Sequence, residues 1–142
     1  MPSRSDASTD LLRAARQAAS TAYSPYSRFR VGAAVRADNN MVVGCNSENA
    51  SYGLTVCAER VAILKAVSAG AQSITSLAIS CPDATSSQPS FRMPCGACRQ
   101  VMAEFAAPNF IVIVDGVGEF TMEQLLPNPF KLPKNSSVGS GS

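Results

Sequence analysis

The stretch CAERVAILKAVSAG, residues 57–70, decides the fold, because it predicts a well-buried helix that is closed by a glycine. A short apolar strand is predicted over 76–81, a further helix over 95–106, and the clearest buried strand over 110–115. Strands that alternate with helices of about a dozen residues favour right-handed crossovers and parallel pairing. This half of the chain therefore predicts an α/β sheet.

The part of the chain before residue 57 adds a helix and a hairpin. A helix is predicted over 8–22, with capping side chains at Ser8, Thr9 and Asp10. Two valine-rich runs, 30–37 and 41–47, are joined by Asp-Asn-Asn, which is typical of an antiparallel hairpin. The whole order predicts a mixed sheet with helices on both faces.

Length and charge limit the function classes. The 142 residues predict one domain over 1–133, followed by a disordered tail over 134–142. A net charge of +2 gives no electrostatic argument for binding nucleic acid or a membrane. Charged residues make up 15% of the chain, below the roughly 25% typical of globular domains, which suggests buried subunit contacts. The polar N-terminus favours a cytoplasmic location.

The chain contains no histidine. This excludes Ser-His-Asp and Cys-His catalysis, and also the common zinc sites that use histidine. If the protein is an enzyme, general acid–base catalysis must then use Asp, Glu, Lys, Cys or Tyr. Five cysteines, an odd number, favour metal ligation or free thiols over a disulfide framework.

Three of the cysteines stand at predicted helix starts. Cys95 and Cys98 are three residues apart, so both thiols can face one point, and Cys57 opens another helix. Helix N-termini favour thiolates. Three thiolates hold zinc and leave one coordination position open, as in catalytic zinc sites, and Glu59 could carry the proton of an attacking water.

The neighbouring arginines would complete this site. Arg60 and Arg99 stand next to the proposed ligands and are placed to donate hydrogen bonds to the sulfurs, offsetting their negative charge.

Three other interpretations of the cysteines and Glu59 remain open at this point. In the first, Cys57 is a thiol packed in the core and Glu59 is a solvated glutamate. In the second, Cys95 and Cys98 form a redox pair. A fourth thiolate, from Cys45 or Cys81, would make the zinc structural.

The motifs CAER (57–60) and PCGACRQ (94–100) resemble those of the zinc-dependent cytidine deaminases. The resemblance extends from about Tyr23 to Phe130 and includes YSPYSRF (23–29), VGAA (31–34), GCNSENA (44–50), Tyr52 and EQLLP (123–127). The three-cysteine motif is similar to that of the small homotetrameric enzymes that act on free nucleosides. It implies a three-layer α/β/α fold and one zinc ion per chain.

The resemblance also implies residue roles. Cys57, Cys95 and Cys98 would bind zinc, and Glu59 would be the proton shuttle. Substrate would be held by Phe29 packing on the pyrimidine, by Asn46 and Glu48 at the ribose 3′-hydroxyl, and by the backbone carbonyl of Ala58 at the 4-amino group. Tyr52 and Phe130 would reach the site from neighbouring subunits. Cys45 and Cys81 would be packing residues.

The implied reaction is the hydrolytic deamination of cytidine and deoxycytidine to uridine and deoxyuridine by a zinc-activated water, in pyrimidine salvage. A relative acting on a modified cytosine nucleoside, such as blasticidin S, is the second hypothesis. A structural zinc module is the third, but it leaves Glu59, Asn46 and Glu48 without a role. Action on RNA or DNA is disfavoured by the weak basic charge.

Overall fold

A computed structural model describes residues 4–85 and 89–134. None of the helices in these ranges is long and apolar enough to cross a membrane. In chain order the elements are α1 (Arg4–Ala18), β1 (Gly32–Ala37), β2 (Asn40–Cys45), α2 (Ala58–Ser68), β3 (Ile74–Ser80), α3 (Gly96–Phe105), β4 (Ala106–Val114), β5 (Gly118–Thr121) and the single turn α4 (Met122–Leu125). Short 3₁₀ turns cover Ala19–Thr21, Tyr52–Leu54 and Pro89–Phe91.

The five strands form one mixed sheet in the order β2-β1-β3-β4-β5. The predicted hairpin is confirmed, since β1 pairs antiparallel with β2. The predicted parallel pairing is confirmed for β3 and β4, which flank α3 in sequence. The strands on either side of α2 do not pair with each other, because β1 lies between β2 and β3 and is antiparallel to both.

Helices cover both faces of the sheet, so the predicted three-layer arrangement is confirmed. Alternate residues of β1 show the two faces. Ala33 and Val35 join the core formed with α2 and α3, whereas Ala34 packs with Leu11 and Ala15 of α1. The cysteine-bearing ends of α2 and α3 therefore lie on the same side of the sheet.

The start of α1 and strand β5 differ from the prediction, and β4 begins at Ala106, earlier than the predicted strand over 110–115. Helix α1 begins at Arg4, so Ser8, Thr9 and Asp10 lie inside the helix and do not cap it. Strand β5 was not predicted at all. It is a four-residue edge strand with only Phe120 as a large apolar residue, too short for a periodic signal. Most of the predicted tail, residues 135–142, lies outside the described residues, and the single domain over 1–133 stays a prediction.

Candidate active site

The three predicted cysteine ligands meet in the structure. Cys57 directly precedes α2, Cys95 directly precedes α3, and Cys98 lies in the first turn of α3. Their Sγ atoms all lie within 4.8 Å of one another, and those of Cys95 and Cys98 are 3.4 Å apart. Neither Cys45 nor Cys81 belongs to this cluster, although both are described. The spacing argument for convergence is confirmed.

The cluster fits a zinc ion. Tetrahedral ligands about 2.3 Å from zinc are about 3.8 Å from each other, so three sulfurs within 4.8 Å reach that arrangement with small side-chain shifts. Because no fourth cysteine or carboxylate among the described residues joins the group, one coordination position is left for another molecule. This favours the catalytic over the structural type of site.

Negative charge is concentrated at Cys57. The pKa of its thiol falls to about 5, first because Cys98 hydrogen-bonds to it and then because the Arg60 guanidinium lies close. Arg60 Nη2 donates to Cys57 Sγ over 3.6 Å, as the sequence predicted. The pKa of Cys98 is raised by that same contact with Cys57 and by burial. A divalent cation among the sulfurs would remove the repulsion that keeps Cys98 protonated.

Glu59 is a buried carboxyl at the same helix end, with an exposed fraction of 4%. Burial raises its pKa to about 7, and the negative charge at Cys57 adds to the shift. A carboxyl with a pKa near neutrality both accepts and returns a proton at low cost. Cys57 precedes the helix and Glu59 is its second residue, so both lie at the helix end, where residues two apart can serve one site.

Arg99 takes a different role from the predicted one. Its guanidinium donates to the carbonyl oxygens of Pro94, over 2.8 Å, and Leu125, over 2.9 Å, and not to a sulfur. The side chain extends from α3 toward α4, where backbone acceptors are available. Arg99 thus holds the backbone of Pro94, the residue before Cys95.

Asn46 and Glu48 follow β2, and both form hydrogen bonds to the segment that precedes β1. Asn46 Nδ2 donates to the carbonyl of Phe29 over 2.8 Å, and Asn46 Oδ1 accepts from the N–H of Val31 over 2.9 Å. Glu48 accepts hydrogen bonds from the backbone and hydroxyl of Ser27, which lower its pKa. One Asn46 N–H and lone pairs of Glu48 remain for a ligand.

Of the three aromatic residues singled out in the sequence, Tyr52 lines an open cavity, and Phe29 and Phe130 do not. The cavity has a volume of about 330 Å³ and is lined by Tyr26, Ser27, Glu48, Asn49, Tyr52 and Thr55. Phe29 is half-buried, whereas Tyr52 and Phe130 are 80% and 67% exposed. Gln100 of α3 donates to the Phe130 carbonyl over 2.9 Å, which places the Phe130 segment against the cysteine-bearing helix.

The predicted role of the Ala58 carbonyl is wrong. This oxygen points along α2, 2.9 Å from the position that a Cβ on Gly44 would take, so it faces β2. Carbonyls of a helix point toward its C-terminus, and N–H groups of the first turn point outward from its start. The group of Ala58 that faces the cluster end of the helix is therefore its N–H.

One contributing residue was missed in the sequence analysis. The Ser27 hydroxyl donates to Glu48, and Ser27 Oγ accepts from the N–H of Phe29 over 3.0 Å. Ser27 lies within YSPYSRF (23–29), but nothing in this local pattern indicates that its partner is Glu48. Ser27 and Glu48 are 21 residues apart, so their contact depends on the tertiary fold.

Comparisons with known proteins agree with this geometry. The family model for the cytidine and deoxycytidylate deaminase zinc-binding region matches residues 5–114. The cytidine deaminase of Halalkalibacterium halodurans is 45% identical over 125 residues, covering 84% of this chain and 91% of the relative. The crystal structure of cytidine deaminase from Burkholderia pseudomallei superposes with a TM-score of 0.77 at 40% identity, covering 86% of this chain and 98% of that one.

A relative with another named substrate is less similar. The blasticidin-S deaminase of Bacillus cereus is 34% identical over 107 residues, covering 70% of this chain and 76% of the relative. Both its identity and its coverage are below those of the cytidine deaminase from Halalkalibacterium halodurans. The chain is therefore more similar to that cytidine deaminase than to this blasticidin-S deaminase.

Proposed function

The chain belongs to the family of zinc-dependent cytidine and deoxycytidylate deaminases, and we propose that it hydrolyses cytidine and deoxycytidine to uridine and deoxyuridine. The observation that carries the proposal is the buried carboxyl of Glu59 beside three converging cysteine sulfurs. A structural zinc module would need the sulfurs but not a carboxyl whose burial raises its pKa to about 7.

Cys57, Cys95 and Cys98 would hold one zinc ion per chain. When bound, zinc supplies a Lewis acid that makes water nucleophilic near neutral pH. Arg60 serves this site by hydrogen-bonding to Cys57 Sγ, and its buried Nε has no protein partner among the described residues. Its positive charge stabilises the thiolate form of Cys57.

Glu59 moves the protons. It accepts a proton from the attacking water, whose oxygen bonds to C4 of the pyrimidine, and it protonates N3. It then takes the second proton from the added hydroxyl and delivers it to the 4-amino group, which leaves as ammonia. Water and cytidine are thus converted to uridine and ammonia, and Glu59 returns to its starting form. One carboxyl acts as base and acid in turn, which accommodates a chain without histidine.

The remaining site residues orient the nucleoside. Phe29 packs against the pyrimidine, and the N–H of Ala58 donates to its polar edge at the start of α2. Asn46 and Glu48 bind the ribose 3′-hydroxyl with the donor and acceptor capacity left after they have fixed the preceding loop. This role is supported by the position of both residues shortly after β2 and by Glu48, which lines the open cavity.

Neighbouring subunits complete the site in this proposal. Tyr52 and Phe130 are large aromatic residues with exposed fractions of 80% and 67%, and Leu132, which follows Phe130 closely in the sequence, is 74% exposed. Such side chains are typical of subunit contacts. We infer a cytoplasmic homotetramer with shared active sites, acting in pyrimidine salvage and not on nucleic acid or membranes.

An assay of purified protein tests the function. Incubation with cytidine should lower the absorbance of the cytosine chromophore, and metal analysis should give one zinc per chain. Removing zinc with a chelator should abolish turnover, and adding zinc back should restore it. Turnover of blasticidin S with no turnover of cytidine would support the modified-nucleoside hypothesis, and zinc without either activity would support the structural one.

A further inference from the structure

Arg30 and Asp83 form a contact of three hydrogen bonds outside the cysteine cluster and the proposed substrate-binding residues. Arg30 Nε donates to Asp83 Oδ2 over 2.9 Å, and Arg30 Nη2 donates to Asp83 Oδ1 over 2.8 Å. The backbone N–H of Arg30 donates to Asp83 Oδ2 over 2.9 Å. The contact therefore fixes both the side chain and the backbone of Arg30.

The two residues belong to two different parts of the site. Arg30 stands between Phe29 and Val31, whose backbone groups are both held by Asn46. Asp83 lies three residues after β3, at the start of the connection that leads to Cys95. The Arg30–Asp83 contact therefore joins the segment that carries Phe29 to the connection that carries the first cysteine of the C-x-x-C pair.

The end of β3 lies near the reacting centre. Burial raises the pKa of the Cys81 thiol to about 12, and the nearby Glu59 carboxyl contributes to that shift. Asp83, two residues further on, has a pKa lowered to about 2 by its hydrogen bonds from Arg30, so it is ionised at any pH at which an enzyme of this class would work. The contact thus stays charged at both ends.

We propose that Arg30 and Asp83 are positioning residues for substrate binding. Asn46 holds the backbone of the Phe29 segment from the β2 side, and Asp83 holds it from the β3 side, so that Phe29 has a fixed position relative to Glu59 and the cysteine cluster. Neither side chain needs to touch the nucleoside. This inference rests on the proposed function, because it assigns Phe29 to the pyrimidine.

A second ion pair in the same chain provides a matched control. Arg16 Nε and Nη2 donate to the two carboxylate oxygens of Asp115 over 2.8 and 2.7 Å. The side chains of Arg16 and Asp115 are 56% and 22% exposed, close to 47% and 26% for Arg30 and Asp83. The Arg16 pair connects α1 to the end of β4, and it does not hold the Phe29 segment.

The experiment compares Arg30→Gln, Asp83→Ala and Asp83→Asn with Arg16→Gln. KM and kcat are measured for cytidine, the Kd of the unreactive product uridine is measured by calorimetry, and zinc is quantified for each variant. We expect Arg30→Gln and Asp83→Ala to raise KM and the uridine Kd together by roughly three- to tenfold, with kcat changed less and zinc unchanged. Arg16→Gln should leave KM and Kd at the wild-type values.

The conservative variant separates positioning from a general loss of structure. Asp83→Asn keeps an oxygen that can accept from the Arg30 N–H, so its KM should lie between those of wild type and Asp83→Ala. Adding Arg30→Gln to Asp83→Ala should raise KM little further, since the two changes break one contact. Equal KM values for Asp83→Ala and wild type would overturn the inference, as would an equal rise in KM for Arg16→Gln. Failure of the wild-type protein to deaminate cytidine would instead overturn the proposed function.

Discussion

The carboxamide of Asn46 donates to the Phe29 carbonyl over 2.8 Å, and Asn46 is only 8% exposed. The same side chain accepts from the N–H of Val31, so it binds the backbone on both sides of Arg30. Buried backbone groups need hydrogen-bond partners, and here a side chain supplies them in place of a neighbouring strand. Asn46 is thus a structural support of the loop that carries Phe29, whatever it contributes to the ribose.

Replacing Asn46 should therefore affect stability as well as substrate binding. Asn46→Ala leaves the Phe29 carbonyl and the Val31 N–H without this partner, and we expect a loss of about 2 kcal/mol in the free energy of unfolding. Asn46→Asp should also destabilise the protein, because a carboxylate oxygen would face the Phe29 carbonyl. Urea denaturation of the two variants and wild type measures both effects. Wild-type stability in both would show that these hydrogen bonds contribute nothing.

Glu59→Gln should separate proton transfer from zinc binding. The amide keeps the size of the carboxyl but cannot accept and return a proton, so we expect deamination to fall by about 10² or more with the zinc content unchanged. Glu104→Gln, at an exposed position of α3, is the control and should keep wild-type turnover. Near-normal activity of Glu59→Gln would remove Glu59 from the mechanism.

The three clustered cysteines should differ from the other two in metal binding. We expect Cys98→Ala to lose most of its zinc, because Cys98 lies within 4.8 Å of both other sulfurs, whereas Cys45→Ala should keep one zinc per chain. X-ray absorption of the wild-type protein should show three sulfur neighbours around zinc. Four sulfurs would indicate a closed structural site.

The cysteine cluster could be predicted from sequence because it depends on local structure. One cysteine precedes α2, and two cysteines three residues apart stand at the start of α3. Once the two helices lie on the same side of the sheet, few arrangements of these three thiols are possible. The capping box of α4 is local in the same way, since Thr121 and Gln124 bind each other within one turn.

Contacts between distant residues could not be predicted in this way. The Arg99 side chain was expected at a sulfur but binds the carbonyl of Leu125, 26 residues away, because α4 packs beside α3. Arg30 and Asp83 are 53 residues apart, so no local pattern in the sequence could indicate their pairing. Their pairing follows from β1 and β3 being neighbours in the sheet, and the sequence left that strand order undetermined.

Close packing of α1 against β1 leads to a prediction on stability. A Cβ on Gly32 would lie 1.9 Å from the Ala15 carbonyl oxygen and 2.5 Å from the Ala19 nitrogen, both of them backbone atoms. Gly32→Ala must therefore push α1 away from the sheet, and we expect a cost of about 1–3 kcal/mol and a lower Tm. At Gly53 a Cβ would meet nothing within 4 Å, so Gly53→Ala is the matched control. Equal melting temperatures for the two variants would contradict the close approach.

Sharing of active sites between subunits can be tested by mixing two defective chains. The first carries Glu59→Gln and keeps Tyr52 and Phe130. The second carries Tyr52→Ala and Phe130→Ala and keeps Glu59. Both aromatic side chains are exposed on their own chain. In an assembly of the double variant alone, no chain supplies these aromatic contacts to the site of its neighbour, so we expect weak binding of cytidine.

Co-expression of the two chains should then restore activity. In a mixed assembly, some sites combine an intact Glu59 with Tyr52 and Phe130 from a Glu59→Gln neighbour, so they regain every group in the proposal. The measured quantity is kcat/KM for cytidine at equal total zinc, compared with the sum of the two chains purified separately. Activity equal to that sum in verified mixed assemblies would place each site within a single chain and refute the role assigned to both aromatic residues.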